Sequence, residues 1–211
     1  MKKNSKEAII EAAIHLFNTK GFHGTSIRDI AARAEVNVAN ISYYFENKHG
    51  LLEYCLTIYF EQYLKQIEEA LPLLEEAPTV CLKKVTENIL KFQCSHIQFT
   101  RFILREMSID SQIVREIMST YYVKEKYYFK KIIERGIQSQ VFKSHSIPYM
   151  IMHVKGLLAM PFLNTQYVTE VLHVFPHERF FEEKYLLEIY AWIDGVVVAD
   201  PLFQKKIAVN Q

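Results

Sequence analysis

The chain has 211 residues, half of them hydrophobic and 13% aromatic, with a formal net charge of +1 and only six glycines and six prolines. That composition excludes long disorder, collagen-like or low-complexity sequence and a turn-dense β architecture. No apolar run approaches the roughly eighteen residues of a membrane span. The three cysteines, Cys55, Cys81 and Cys94, are odd in number and widely spaced, as in a reducing compartment. A soluble, cytoplasmic, helical protein of one large domain or two small ones is expected.

In chain order, Ser5 can cap a first helix that runs to about Thr19, with Ile9, Ala13, Leu16 and Phe17 inward. Gly21 suits the residue just past its end. Thr25 or Ser26 can cap the next helix, in which Ile27, Ile30 and Ala31 recur at the spacing of one buried face. The chain turns near Glu35 and Val36, Asn37 offers a second cap, and a short helix follows from Val38 to about Tyr44 with Ile41 as its anchor. Two short helices crossed over a tight turn describe a DNA-binding helix-turn-helix.

Beyond it, Leu51 to Leu71 reads as one long helix ended near Pro72, and Pro78 can open another running to His96. Further helices are expected from Gln98 to Met107, from Ser111 to Ile137, from Ile147 to Leu163 and from Phe180 to Val198, the last closed by Asp200-Pro201. Asn164 to Pro176 stays ambiguous between loop and frayed helix.

The first fifty residues hold seven basic groups (Lys2, Lys3, Lys6, Lys20, Arg28, Arg33, Lys48) against five acidic ones (Glu7, Glu11, Asp29, Glu35, Glu46). The small positive excess of the chain therefore lies at its helix-turn-helix end, the sign suited to phosphates.

The ordered series Thr25, Ile30, Ala31, Ala34, Val36, Ile41, Tyr44, Phe45, Lys48 and Leu51 or Leu52 resembles the N-terminal domain of TetR-type regulators. Glu35 departs from it where a turn glycine is usual, Ala39 where glycine is common and Ser42 where tyrosine is common. The resemblance implies an all-α fold, with a three-helix DNA-binding head over residues 1–48 and a helical dimerisation and regulatory body over 49–211. Over the first sixty residues there is also a narrower resemblance, to a TetR-type subgroup associated with cell division and the tubulin-like protein FtsZ. It implies FtsZ as a protein partner and a nucleoid-associated location.

Val38, Ala39 and Asn40 occupy the first turns of the second motif helix, the part that meets base edges, and Asn40 can pair bidentately with adenine. Thr25, Ser26, Arg28, Asn37, Tyr43, Tyr44 and Lys48 are the candidate phosphate and groove contacts on double-stranded DNA. The resemblance further implies a homodimer through the last two long helices, with Gly156, Leu157, Met160, Tyr190, Ile193 and Val197 as candidate interface residues. Arg101, Arg105 and Arg115 suit either a solvated face or a docking surface for an acidic segment. His173 and His177 have helical spacing, but Pro176 between them and the lack of a nearby third ligand argue against a metal. No phosphate loop, nucleophile elbow or paired-cysteine motif is present, so neither catalysis nor a cofactor is expected. Three functions stay open: a DNA-binding protein coupled to cell division, a repressor released by a small molecule, and an interaction module without DNA binding.

Overall fold

The computed structural model describes residues 4–109 and 111–199. Among them the chain forms nine α-helices: α1 (Ser5–Lys20), α2 (Ile27–Arg33), α3 (Val38–Phe45), α4 (Lys48–Glu68), α5 (Pro78–Ser95), α6 (Ile97–Ile109), α7 (Gln112–Gln138), α8 (Ile147–Leu163) and α9 (Arg179–Trp192). The β content among the described residues is one isolated bridge, Phe142 to Val198. The all-α expectation therefore holds. Asp200-Pro201, Lys2 and Lys3 lie outside the described residues.

Local chemistry explains most boundaries. Asn4, not Ser5, caps α1: its extended backbone lets the side-chain carbonyl accept from the Lys6 amide. Gly21 closes the helix at φ 76, its N–H donating to the Phe17 carbonyl. Ser26 rather than Thr25 caps α2, in a reciprocal box with Asp29. Pro72 sits in a 3-10 turn (Leu71–Leu73), so α4 ends at Glu68, three residues before the expected Leu71. The ambiguous stretch after α8 contains one π-helical turn, Tyr167–Val171, and a second π-helical turn, Ile193–Val197, extends α9.

The chain divides into two compact units. The first comprises the residues up to Gln62 together with His96–Tyr121, and the second comprises Tyr63–Ser95 and the chain from Tyr122 onward. In the first, α1 packs on α2, α3 and α6. Its centre is Phe17, fully buried and stacked on Phe102 at 5.1 Å between ring centroids. Arg105 of α6 donates through its guanidinium to the carbonyls of Phe17 and Asn18. These belong to the last turn of α1, where carbonyls lack helical partners and the dipole favours a cation. The Asn18 amide in turn donates to the Gln98 carbonyl at 2.7 Å.

In the second unit α5 packs on α8 and α9. Glu125 of α7 is buried and shared between the Tyr63 hydroxyl, at 2.7 Å, and the Lys155 ammonium. Gly136 is obligatory by contact: a Cβ there would meet the Phe142 ring at 2.0 Å.

Glu106 is the buried acid of the first unit. Burial pushes its carboxyl above the ordinary glutamate value, and Arg105 and His23 only partly oppose this. The folded chain therefore holds that proton more tightly than the unfolded chain. Stability must fall as pH rises from the ordinary value through the raised one. Glu106→Gln removes the ionisation, so urea unfolding should show the variant more stable than the parent at neutral pH. The advantage should disappear below about pH 4, where the unfolded chain's glutamates are protonated too.

Candidate nucleic-acid interface

The turn between α2 and α3 closes as a Schellman motif. The Val36 N–H donates back to the Ala31 carbonyl and the Glu35 N–H to the Ala32 carbonyl. Glu35 takes φ 55, the left-handed region that favours glycine. The backbone is thus the one a turn glycine would adopt, reached here at a cost of about 1–2 kcal/mol. Asn37 then caps α3, its side chain accepting from the Ala39 amide at 2.9 Å. After α3, Glu46 turns the chain at φ 63, and Asn47 accepts from the amides of His49 and Gly50 to start α4.

This framework decides which side chains of α3 face outward. Ile41 and Phe45 are buried against the other helices, whereas Val38 and Tyr44 are about two-fifths exposed and Tyr43 is 82% exposed. Ala39 is exposed and Asn40 half-buried. The Asn40 side-chain amide has no hydrogen-bond partner among the described residues, so its donors and acceptor are open to an outside group. Arg28 on α2 is exposed as well. Together these residues make an outward face with one bidentate amide, two tyrosines and small apolar side chains.

Three of the expected contact residues are engaged within the chain instead. Thr25 is 1% exposed and its hydroxyl donates to the Gly21 carbonyl at 2.8 Å. Ser26 is exposed, but its hydroxyl is held by Asp29 at 2.7 Å. The Lys48 ammonium donates to the carbonyls of Phe22 and Thr25, both at 2.9 Å, and stands 4.5 Å above the Phe22 ring. Two of its three donors are therefore spent on the loop between α1 and α2. Sequence reading placed Lys48 on phosphate because it follows the aromatics directly. Its partners lie more than twenty residues away, and spacing along the chain cannot reveal them. Lys6 likewise lies over the Tyr54 ring, at 4.0 Å.

The arginine group does not form one free surface. Arg105 caps α1 and is structural, Arg101 is half-buried and Arg115 exposed. Of the candidate interface residues, Ile193 and Val197 are 0% exposed within one chain and belong to its core. Leu157 is half-buried, its carbonyl accepting from the Tyr185 hydroxyl. Tyr190 is also half-buried, beneath the Lys83 ammonium. Gly156 and Met160 are exposed, and a Cβ at Gly156 would meet nothing within 4 Å. Sequence reasoning missed Tyr149, Met152 and Leu163 on α8 and Phe180 and Leu187 on α9, each at least half exposed. Helix α8 is apolar nearly all round, so periodicity did not single out its outer face, and on α9 Phe180 and Leu187 stand beside buried apolar neighbours, Phe181 and Leu186.

Lys48→Met should keep the apolar stem over Phe22 while losing both carbonyl contacts. Urea unfolding should show a loss of about 1–3 kcal/mol, the range for charge-assisted hydrogen bonds. A variant as stable as the parent would return Lys48 to the solvent-facing groups.

Comparison with known proteins agrees with this geometry. The family of bacterial regulatory proteins named tetR matches residues 9–55, which span α1, α2, α3 and the start of α4. The probable HTH-type transcriptional regulator YttP of Bacillus subtilis (strain 168) is 47% identical over 197 residues, covering 93% of this chain and 95% of its own. The HTH-type transcriptional regulator RutR of Escherichia coli (strain K12) is 33% identical over 106 residues, 48% of this chain and 47% of its own. Among solved structures, the TetR family transcriptional regulator PfmR from Thermus thermophilus superposes with a TM-score of 0.73 at 19% identity, covering 88% of this chain and 96% of its own. The ketosteroid transcriptional regulator KstR2 of Mycobacterium tuberculosis gives 0.75 at 12% identity, covering 95% and 98%. Those two show the fold alone. With its helix-turn-helix, its helical body and a relative of 47% identity along almost the whole length of both chains, this chain belongs to the TetR family of transcriptional regulators.

Proposed function

We propose that the chain is a homodimeric, sequence-specific binder of palindromic chromosomal sites, with a DNA-reading head over residues 1–48 and a dimerising body over 49–211. The observation that carries this reading is the outward face of α3. Val38, Ala39, Asn40 and Tyr43 project outward while Ile41 and Phe45 anchor the helix from behind. Asn40 reads adenine, and Val38 and Ala39 touch thymine methyls. Arg28, Asn37, Tyr43 and Tyr44 hold the backbone phosphates, which set register without carrying sequence. Thr25 and Lys48 act from behind by fixing the loop that presents α2. Such a protein works in the cytoplasm, on the nucleoid.

Asn40→Ala should cost about 1–3 kcal/mol at one base pair per half-site and leave non-specific binding almost unchanged. Competition assays against operators substituted at each position would read this out. An unchanged sequence preference would remove Asn40 from the reading residues. Failure of the parent chain to bind any genomic duplex would leave only the interaction-module reading.

Dimerisation is assigned to the exposed apolar residues of α8 and α9, with Gly156 and Met160 among them. Met152, Gly156, Met160 and Leu163 recur at helical spacing, and an exposed apolar stripe of that kind marks an interaction site. Two linked heads then bind half-sites about one helical turn, or a multiple, apart. Leu187→Glu puts a charge into that face, so light scattering should show monomers and operator affinity should collapse. A stable Leu187→Glu dimer would move the interface elsewhere.

The narrower coupling, to cell division through FtsZ, rests on the resemblance of the first sixty residues to the RefZ subgroup. Cosedimentation of the purified chain with FtsZ polymers tests it, and its absence there would leave a DNA-binding regulator without that partner.

A further inference from the structure

Within the second unit, α7 and the first turns of α8 border an open groove of about 630 Å³, in the size range of small-molecule sites. The α7 wall runs from Tyr122 to Glu134, about 18 Å at the helical rise of 1.5 Å per residue. Ile147, Pro148 and Ile151 of α8 make the opposite wall apolar. The space is therefore elongated, with a hydrocarbon floor.

Charge decides what fits. Three lysines and two glutamates border the groove. Both glutamates are already compensated: Glu125 by the Lys155 ammonium and the Tyr63 hydroxyl, Glu134 by Lys130 at 3.4 Å. Lys155 also stands 5.5 Å above the Tyr122 ring. The remaining cation, Lys126, is exposed and has no ion pair among the described residues. The groove thus combines an apolar floor with a single uncompensated positive charge. A neutral ligand would leave that charge unused, and a dianion would carry one charge without a partner beside apolar side chains.

We propose that this groove binds a small monoanionic amphiphile, with its carboxylate beside Lys126 and an elongated apolar body over Ile147, Pro148, Ile151 and the Tyr122 ring. This site does not depend on the DNA-binding reading. Binding needs no change in the Glu125–Lys155 pair, because the carboxylate meets a cation that no glutamate holds.

The test is calorimetric titration of the full chain with decanoate below its micelle concentration. Decanol, decyltrimethylammonium and an oligo-glutamate peptide serve as the uncharged, cationic and acidic-segment comparisons. Decanoate should bind at one site per chain, at least tenfold tighter than decanol, and the cation should not bind. Lys126→Gln should reduce decanoate to the decanol level, while Lys131→Gln, an exposed lysine of α7 outside the groove, should bind as the parent does. Ile151→Asp should abolish binding, with its fold checked by thermal melting. Lys126 is exposed, so its variant decides the matter even if Ile151→Asp fails to fold. No decanoate binding, or binding that Lys126→Gln leaves intact, overturns the proposal. So does tight oligo-glutamate binding without decanoate binding, which would assign the surface to an acidic protein segment.

Discussion

Helix α3 has eight residues, far fewer than a helix needs to persist alone in water. It is held by the burial of Ile41 and Phe45, where α3 packs on α1 and α2. The outward face of α3 therefore depends on that burial. Burial of a large aliphatic or aromatic side chain stabilises by about 1.5–3 kcal/mol, so two such anchors offset the unfavourable nucleation of a short helix. The same constraint sets its rotation. With Ile41 and Phe45 inward, the residues before and between them have no choice but to face out.

Around that anchor, polar groups serve mainly as braces. Lys48, Thr25 and Arg105 are residues that a sequence-level argument assigns to phosphates or to a partner. Each instead donates to main-chain carbonyls within the first unit, at the α1–α2 loop or at the last turn of α1. The chemistry is common to all three. A helix end or tight loop leaves carbonyls without internal partners, and a long cationic side chain can satisfy several at once. The positive charge counted in the head is consequently less available to DNA than the composition implies.

Non-glycine residues at positive φ flank α3, at Glu35 and Glu46, and occur again in the second unit, at Gln140 and His173. Glu35 and Glu46 both adopt positive φ just outside short helices. Neither position supplies a side chain to the core; each reverses the chain within one or two residues. A glutamate costs more there than a glycine would, and the Schellman hydrogen bonds around Glu35 hold it in place. The departure from the family pattern at Glu35 thus leaves the backbone path as it would be with glycine.

The helix-turn-helix, the order of the helices and most of their ends were legible in the residues. Caps, proline and 3.6-residue periodicity are local signals whose physics acts over one or two turns. Asn37, Gly21 and Ile41 could be assigned on spacing alone, whereas the choice between Thr25 and Ser26 as the cap of α2 could not, and the helices at Pro78 and Ile147 begin where their prolines suggest. Tertiary structure decided what local signals do not encode. Ile193 and Val197 were plausible interface residues by sequence because they are apolar and lie on the last helical stretch, yet they are fully buried within their own chain. Leu187, on the preceding turns and equally apolar, is 67% exposed. Apolar residues fall on more than one face of α9, with Leu186 and Ile189 buried and Leu187 exposed, so the pattern carries no mark of which face its neighbours will cover. Likewise, whether a lysine reaches solvent or folds back onto a carbonyl depends on residues tens of positions away. The sequence by itself determined what elements form and where most of them end; only the packing of those elements decided which of their faces, and which of their charges, stay exposed.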